Sequence, residues 1–210
     1  MPWLADASAL LDEPERERAR RMKRAHDADT RVLAYALHRL FLGALQGVPP
    51  GEVPLWRDPN GRPMVGDGTW CTSLSHAEGA VALAAGPGSP VGIDLERADR
   101  AAGMAAIAEE VWHSTECAGM ERTTRAQRGR ALLETWVRKE AYLKASGVGL
   151  LAPMTQFALP ENAVLPLLHD GERPGLVRTG LLDLLPDYVV ALCAAPEQPV
   201  HVVLLEPARP

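Results

Sequence analysis

The chain has 210 residues, 47 % hydrophobic and 23 % charged, so it is long enough to bury a core and too apolar to be intrinsically disordered. Its formal net charge of −5 argues against a dedicated nucleic-acid binder. Three widely spaced cysteines exclude a disulfide framework and a structural zinc site, and they favour a reducing compartment. With no signal-peptide pattern and no apolar run long enough to cross a bilayer, the sequence predicts a cytoplasmic protein.

The first half of the chain predicts helices followed by short strands. Apolar residues at helical spacing predict a helical region over residues 14–46, which the Gly and Pro residues at 47–51 would end. Five prolines in residues 48–72 predict loop with at most short strands. Residues 80–85 and 91–96 are short apolar runs separated by Gly and Pro, a pattern typical of strand, turn and strand.

The second half predicts one strong helix between less regular segments. Residues 101–111 favour a helix, and Ser114 is predicted to cap a further helix with Glu116 in its first turn. Residues 131–146 give the clearest helical pattern, with strong helix formers and no breaker before Gly147. The remaining residues predict loops and strands, the last of them at 188–194 and 200–205.

An internal repeat links the two halves. Residues 81–96 and 190–205 align without gaps, with 8 identical residues of 16. Either two strand–turn–strand units share a composition by coincidence, or the chain is an α+β intramolecular pseudo-dimer with halves 1–97 and 98–210 and a site in the cleft between them. Asp94 and Glu96 of the first copy correspond to Val203 and Leu205 of the second, which are therefore predicted to be structural. Carboxylates absent from one copy are not required by the strand and indicate chemistry.

Two stripes of polar side chains carry this chemistry. On a strand over 91–96, Asp94 and Glu96 face the same way, and two neighbouring carboxylates suit a hard cation such as Mg²⁺, although a solvated outer face is the alternative. On a helix over 131–146, Trp136, Glu140 and Lys144 share one face. The alternative there is a surface Glu–Lys pair beside a core tryptophan.

Together these segments resemble the signature of 4′-phosphopantetheinyl transferases. VGIDLE at 91–96 is followed, after about forty residues, by WVRKEAYLK at 136–144. The length and the duplication resemble the monomeric Sfp-type branch of the family. Weaker similarities are Gly-Arg-Pro at 61–63, Leu-Ser-His at 74–76 and KASGVGL at 144–150, whereas Val137 departs from the Ser or Thr of many members.

This resemblance implies that the phosphopantetheine arm of coenzyme A is transferred to a serine of an apo acyl or peptidyl carrier protein, with release of 3′,5′-ADP. The carrier could serve fatty-acid, polyketide or nonribosomal peptide synthesis. In the family's pattern, the catalytic residues are Glu140, Lys144 and His76, and the ligands of Mg²⁺, or alternatively Mn²⁺, are Asp94, Glu96 and Glu140. Glu140 would accept the serine proton, and Lys144 would neutralise or protonate the leaving diphosphate oxygen.

The resemblance also implies which residues hold coenzyme A. Lys23 and Arg31, eight residues apart and therefore near one face of the predicted helix, correspond to basic residues that the family keeps for coenzyme A phosphates. The full set predicted to contact coenzyme A comprises Lys23, Arg31, Arg62, Ser75, His76, Lys139 and Lys144. A basic segment, with Arg122, Arg125, Arg128 and Arg130, is predicted to face an acidic carrier protein.

Two other functions use the same residues. A metal-dependent phosphohydrolase would need the same three carboxylates, and a non-catalytic module would bind coenzyme A or a carrier protein without turnover. The sequence has no Gly-x-Ser-x-Gly, no His-Glu-x-x-His and no phosphate-binding loop motif. It therefore lacks the common motifs of serine hydrolases, zinc peptidases and nucleoside triphosphatases.

Overall fold

The computed structural model describes residues 3–118, 123–149, 152–168 and 175–205 as a mixed α+β structure. Its α-helices are α1 (Trp3–Ala9), α2 (Glu13–Arg20), α3 (Ala25–Gln46), α4 (Ala108–Val111) and α5 (Arg125–Ser146). Its strands are β1 (Leu55–Arg57), β2 (Pro63–Val65), β3 (Trp70–Ala77), β4 (Ala80–Pro87), β5 (Val91–Arg97), β6 (Val164–Pro166), β7 (Leu176–Leu182) and β8 (Tyr188–Ala194). Short 3₁₀ helices cover Pro50–Glu52, Ala98–Ile107 and Met154–Gln156.

The long helices begin and end at residues suited to those positions. Thr124 caps α5 through a capping box with Gln127, so this helix begins six residues before the predicted start at residue 131. Both α3 and α5 end at a glycine with φ of 69°, Gly47 and Gly147, a left-handed conformation that glycine adopts without strain. The predicted helical region over 14–46 is two helices, α2 and α3.

The N-terminal helices pack on the first sheet, whose strand order is β1-β2-β3-β4. Arg39 of α3 is buried and forms ion pairs with Glu15 of α2 at 2.6 Å and with Asp12 at 2.7 Å, which fixes the two helices against each other. His38 is also buried, and its Nε2 lies 2.7 Å from the hydroxyl of Thr72 on β3. These contacts place α3 across the first sheet.

The second sheet, of strand order β5-β8-β7-β6, combines residues from both predicted halves. Strand β5 lies before the predicted division at residue 97, yet it pairs antiparallel with β8, with Asp94 opposite Ala191. The α+β class is therefore confirmed, whereas the pseudo-dimer and the division into 1–97 and 98–210 stay predictions. The sheet pairing makes β5 the strand that joins the two halves.

Strand β5 lies between the first sheet and α5. Val91, Ile93 and Leu95 pack in a core cluster with Ala84 of β4. On the opposite face, a Cβ on Gly92 would lie 1.9 Å from the carbonyl oxygen of Ala141, so only glycine allows α5 to approach this closely. Because side chains alternate along a strand, Asp94 and Glu96 lie on the face of Gly92 and are directed towards α5.

Three predicted elements differ in the structure. Most of the predicted helix over 101–111 is 3₁₀ helix, within Ala98–Ile107. Ser114 caps no helix, because Glu116 binds backbone amides and Lys139 instead. Residues 200–205 form no strand, and Val203 and Leu205 are 77 % and 84 % exposed, so the second copy of the repeat lacks its last strand. None of the helices in the described residues is both long and apolar enough to span a membrane.

Candidate active site

Lys144, in the last turn of α5, lies where the two sheets meet. Its ammonium group donates to the carbonyl oxygen of Leu74 on β3 at 3.4 Å and to that of Ile93 on β5 at 3.1 Å. It also forms an ion pair with Asp94 Oδ1 at 2.7 Å. The Lys144 side chain remains 28 % exposed, so its charge reaches solvent from this position.

Asp94 is the buried carboxylate of the site. Its Oδ1 accepts hydrogen bonds from Lys144 and from the hydroxyl of Ser75, both at 2.7 Å. Its Oδ2 is buried without a hydrogen-bond partner. An unsatisfied carboxylate oxygen in a buried position is costly, so this atom is available to a further ligand.

Glu140 lies one helical turn before Lys144 on the same face of α5. Burial, the nearby charge of Asp94 and the charge of Glu96 raise the pKa of Glu140 to about 7, although Lys144 opposes the shift. The carboxyl group can therefore accept or release a proton near neutral pH. Asp94 and Glu96 are therefore close enough for their charges to act on Glu140.

Glu96 is more exposed than Asp94, with 21 % of its side chain accessible against 8 %. Its Oε1 accepts a hydrogen bond from Nη1 of Arg100, in the 3₁₀ helix that follows β5. With Asp94 paired to Lys144 and Glu96 paired to Arg100, the described side chains contain no group of three or more His, Cys, Asp or Glu arranged to hold a metal ion. The donors nevertheless fit a hard divalent cation, because they are carboxylate oxygens and one of them is buried without a partner.

A cleft of about 380 Å³ opens beside Lys144 and is rich in positive charge. Among the described residues, its lining contains no carboxylate. The lining residues are Arg18, Arg31, Tyr35, Arg57, Gly61, Leu74, Ser75, His76 and Lys144. They come from α2, α3, the first sheet and α5, so the fold assembles this surface from distant parts of the sequence. Four cationic side chains around one cleft suit a ligand with several phosphate groups.

His76 lines the cleft as a neutral side chain at pH 7. Burial lowers its pKa below the ordinary value, and the charges of Arg31 and Lys144 lower it further, against weaker opposing effects of Asp27 and Asp94. A neutral imidazole can still donate a hydrogen bond to a phosphate oxygen. His76 therefore suits binding of a ligand better than it suits permanent charge neutralisation.

Comparison with known proteins identifies this arrangement. A family model described as the 4′-phosphopantetheinyl transferase superfamily matches residues 90–193, which include β5, α5 and β8. Residues 90–193 belong to the 4′-phosphopantetheinyl transferase superfamily. This match and the names of the relatives below support a transferase enzyme, as the sequence predicted.

Similar curated proteins carry the same family name. A phosphopantetheinyl transferase of Thraustochytrium sp. is 28 % identical over 80 % of this chain and 65 % of its own length, so the chain spans just under two thirds of that relative. A 4′-phosphopantetheinyl transferase of Bacillus subtilis is 26 % identical over 89 % of the chain and 83 % of the relative. The 4′-phosphopantetheinyl transferase HetI of Nostoc sp. is 28 % identical over 88 % and 77 %.

The structure brings most of the predicted site residues together. Asp94 is in direct contact with Lys144 and with Ser75. The charges of Asp94 and Glu96 both act on the pKa of Glu140. Arg31 and His76 line the cleft. Arg62 is close by, with its side chain against Gly147 at the end of α5, but it does not line the cleft.

Lys23 does not share a helical face with Arg31. Helix α3 begins at Ala25, and Lys23 is an exposed residue of the preceding bend, so the predicted common helical face of Lys23 and Arg31 is wrong. Lys23 is also absent from the cleft lining. Its predicted contact with a coenzyme A phosphate therefore has no support from the geometry.

Lys139 occupies a different environment from its prediction. Its side chain is fully buried, and its ammonium donates to Glu116 at 2.6 Å and to the carbonyl oxygens of Val111 and Met154 at 2.8 Å each. An ammonium group has three donors, and all three are used. The structure therefore corrects the prediction that Lys139 binds a phosphate, because no donor remains for one.

Sequence reasoning missed two cations of the cleft, Arg18 and Arg57. Arg18 lies in a charge-dense helix where nothing distinguishes it from its neighbours. Arg57 ends β1, and the antiparallel pairing of Arg57 with Pro63 across the β1–β2 turn brings it beside the Gly-Arg-Pro motif. Its guanidinium also lies 5.0 Å from the ring centre of Tyr35, another residue of the cleft. The turn sequence Asp-Pro-Asn-Gly could have signalled this hairpin.

The basic segment before α5 is only partly described. Arg125 is the first residue of α5, and Arg130 forms an ion pair with Glu134 at 2.6 Å. Arg122 lies outside the described residues. The predicted contact of this segment with an acidic carrier protein stays a prediction.

Proposed function

We propose that this protein transfers the 4′-phosphopantetheine arm of coenzyme A to a serine hydroxyl of an apo acyl or peptidyl carrier protein, and that it requires Mg²⁺ or Mn²⁺. The observation that carries the proposal is the position of Lys144, which lines the cationic cleft and contacts the buried carboxylate Asp94. Coenzyme A has a diphosphate and a 3′-phosphate. A ligand of this charge can lie in the cleft with its reacting phosphorus beside the carboxylates.

The transfer is a displacement at phosphorus. The serine oxygen forms a bond to the phosphorus atom that bears pantetheine, and the bond from that phosphorus to the bridging oxygen breaks, which releases 3′,5′-ADP. Glu140 accepts the serine proton as a general base. Lys144 neutralises the charge that develops on the leaving oxygen. Such reactions depend mainly on positioning and charge stabilisation.

The carboxylates Asp94, Glu96 and Glu140 would hold the divalent cation. Among their oxygen atoms, the best candidate to bind the cation is Oδ2 of Asp94, which is buried without a hydrogen-bond partner. A bound cation would supply neutralisation of the diphosphate oxygens. Around it, Ser75 orients Asp94 through its hydroxyl, and His76, Arg31, Arg18 and Arg57 bind the phosphates. We also propose that the protein is a monomer, that it is located in the cytoplasm, and that its two predicted halves act as one functional unit.

Intact-mass measurement on a panel of apo carrier proteins tests the proposal. Each carrier is incubated with coenzyme A, Mg²⁺ and the protein, and the expected result is a mass gain of one phosphopantetheine group with release of 3′,5′-ADP. The gain should disappear with EDTA and with a carrier whose acceptor serine is changed to alanine. Release of 3′,5′-ADP without any carrier would instead indicate a phosphohydrolase, and binding of coenzyme A without turnover would indicate a non-catalytic module.

A matched pair of variants ties the activity to the site. Glu140→Gln removes the proposed proton acceptor, whereas Glu134→Gln changes a partly exposed residue of the same helix that pairs with Arg130. Transfer should fall by about 100-fold or more in the first variant, the range for loss of a general base, and stay near the parent level in the second. Equal activity in both variants would contradict the proposed role of Glu140.

A further inference from the structure

Arg100 contacts the metal-binding candidates from outside the cleft. It lies in the 3₁₀ helix Ala98–Ile107, four residues after Glu96, and its guanidinium donates to Oε1 of that carboxylate. Asp94, two residues earlier on the same face of β5, has its own cation in Lys144. Each carboxylate of the strand is therefore neutralised by a separate side chain of the protein.

The two cations differ in what else they can do. Lys144 lines the cationic cleft, so its charge is available to a phosphate ligand. Arg100 does not line that cleft, and its guanidinium forms an ion pair with Glu96. Its side chain is 44 % exposed and that of Glu96 is 21 % exposed, so the guanidinium can leave the carboxylate for solvent without disturbing the core.

We propose that Arg100 is a positioning residue that restrains Glu96 and thereby weakens binding of a divalent cation by Asp94, Glu96 and Glu140. The inference rests on the proposed function, because it concerns the same three carboxylates. A cation that binds Glu96 must compete with the guanidinium for its oxygen atoms. It also experiences repulsion from the positive charge of Arg100 at short range. Arg100 thus sets the cation concentration at which Glu96 exchanges one partner for the other.

Direct titration with Mn²⁺ measures this effect without reference to activity. The Kd of the full-length protein is determined by calorimetry or by the electron paramagnetic resonance signal of free Mn²⁺. Arg100→Gln should bind Mn²⁺ about 2- to 5-fold more tightly, a range that corresponds to the modest strength of a partly exposed ion pair. Arg100→Lys keeps the charge and should lie between the variant and the parent protein.

Arg97→Gln is the matched control. Arg97 is 40 % exposed and forms an ion pair with Asp99 at 2.7 Å, so its replacement removes the same charge near the end of β5 without touching Glu96. The proposal expects a smaller change in Kd for Arg97→Gln than for Arg100→Gln. Equal tightening in both variants would show a general charge effect and would overturn the role of Arg100.

Two further outcomes separate this inference from the proposed function. Unchanged or weaker Mn²⁺ binding in Arg100→Gln overturns the role of Arg100, provided that the parent protein binds Mn²⁺ and Asp94→Asn abolishes the binding. A parent protein that binds no Mn²⁺, or whose binding survives Asp94→Asn, overturns the proposed metal site itself. In assays of transfer, Arg100→Gln should lower the Mg²⁺ concentration that gives half-maximal rate.

Discussion

Lys139 and Lys144 belong to one sequence signature on one helix, yet their surroundings differ. Lys139 is fully buried, and its ammonium holds together Glu116 and two backbone carbonyls. Lys144 is partly exposed at the junction of both sheets and the cationic cleft. Because each residue of an α-helix advances by about 100°, a separation of five residues places the two side chains about 140° apart. The comparison teaches that a signature can contain a structural lysine and a site lysine side by side.

The largest expected effect is on activity at Lys144. Lys144→Ala should lower kcat/KM for coenzyme A by about 100- to 1,000-fold, the range for loss of a group that stabilises charge in a transition state. Steady-state kinetics with one carrier protein measures it. Lys23→Ala is the matched control, since Lys23 is an exposed lysine that does not line the cleft. A comparable loss in Lys23→Ala would show that the cleft extends beyond the residues that line it here.

Lys139 should show the opposite pattern. Lys139→Met leaves Glu116 without its buried cation, and breaking a buried ion pair costs about 3–5 kcal/mol of unfolding free energy. Denaturant unfolding measures the loss, while activity per folded molecule should stay near that of the parent protein. The double variant Lys139→Met with Glu116→Gln should recover part of the stability, because the uncompensated charge is then removed. If Lys139→Met instead lowered the affinity for coenzyme A and left the stability unchanged, Lys139 would be a residue of the binding site.

The raised pKa of Glu140 predicts a pH-dependent difference in stability between the parent protein and Glu140→Gln. Below pH 4.5 the carboxyl is protonated in both folded and unfolded states and contributes no penalty. As the pH rises from 4.5 to about 7, the unfolded state ionises first, and the parent protein loses up to about 3 kcal/mol relative to the variant. Above pH 7 the difference should stay constant. Chemical denaturation in EDTA measures it, and a difference that shrinks with rising pH would contradict the burial of Glu140.

For residues that are close together in the chain, the sequence was sufficient to predict which side chains share a face of a strand or a helix. The shared face of Asp94 and Glu96 follows from the alternation of side chains along a strand, and the Glu140–Lys144 stripe follows from the period of a helix. Only the family resemblance implied that these two stripes belong to one site. The same period could also have separated Lys139 from the stripe, since Trp136, Glu140 and Lys144 advance by only about 40° at each step. The family resemblance, by contrast, named both lysines as site residues and gave no reason to treat them differently.

Contacts between distant segments were not predictable from the sequence. Arg18 and Arg57 reach the cleft only because α2, α3 and the first sheet pack as they do. Glu116 looked like a first-turn helix residue, but the buried ammonium of Lys139 holds it in a turn instead. Local propensity is a weak guide where a buried charge needs a partner. The strand predicted at 200–205 failed for a related reason, since a run of β-branched residues forms a strand only when a neighbouring strand pairs with it.

The smallest expected effect concerns the second copy of the repeat. The sequence predicts that Val203 is structural and that Val203→Asp lowers stability. The structure places Val203 outside any strand and 77 % exposed, so the change in unfolding free energy should stay within about 0.5 kcal/mol. Val190 in β8 is the matched control, since it is buried in the cluster with Leu95, and Val190→Asp should destabilise strongly. Val203→Asp should create no second Mn²⁺ site, because Val203 lies outside any strand and is exposed to solvent. A marked loss of stability in Val203→Asp would show that residues 200–205 are buried in solution and that the repeat extends to its last strand.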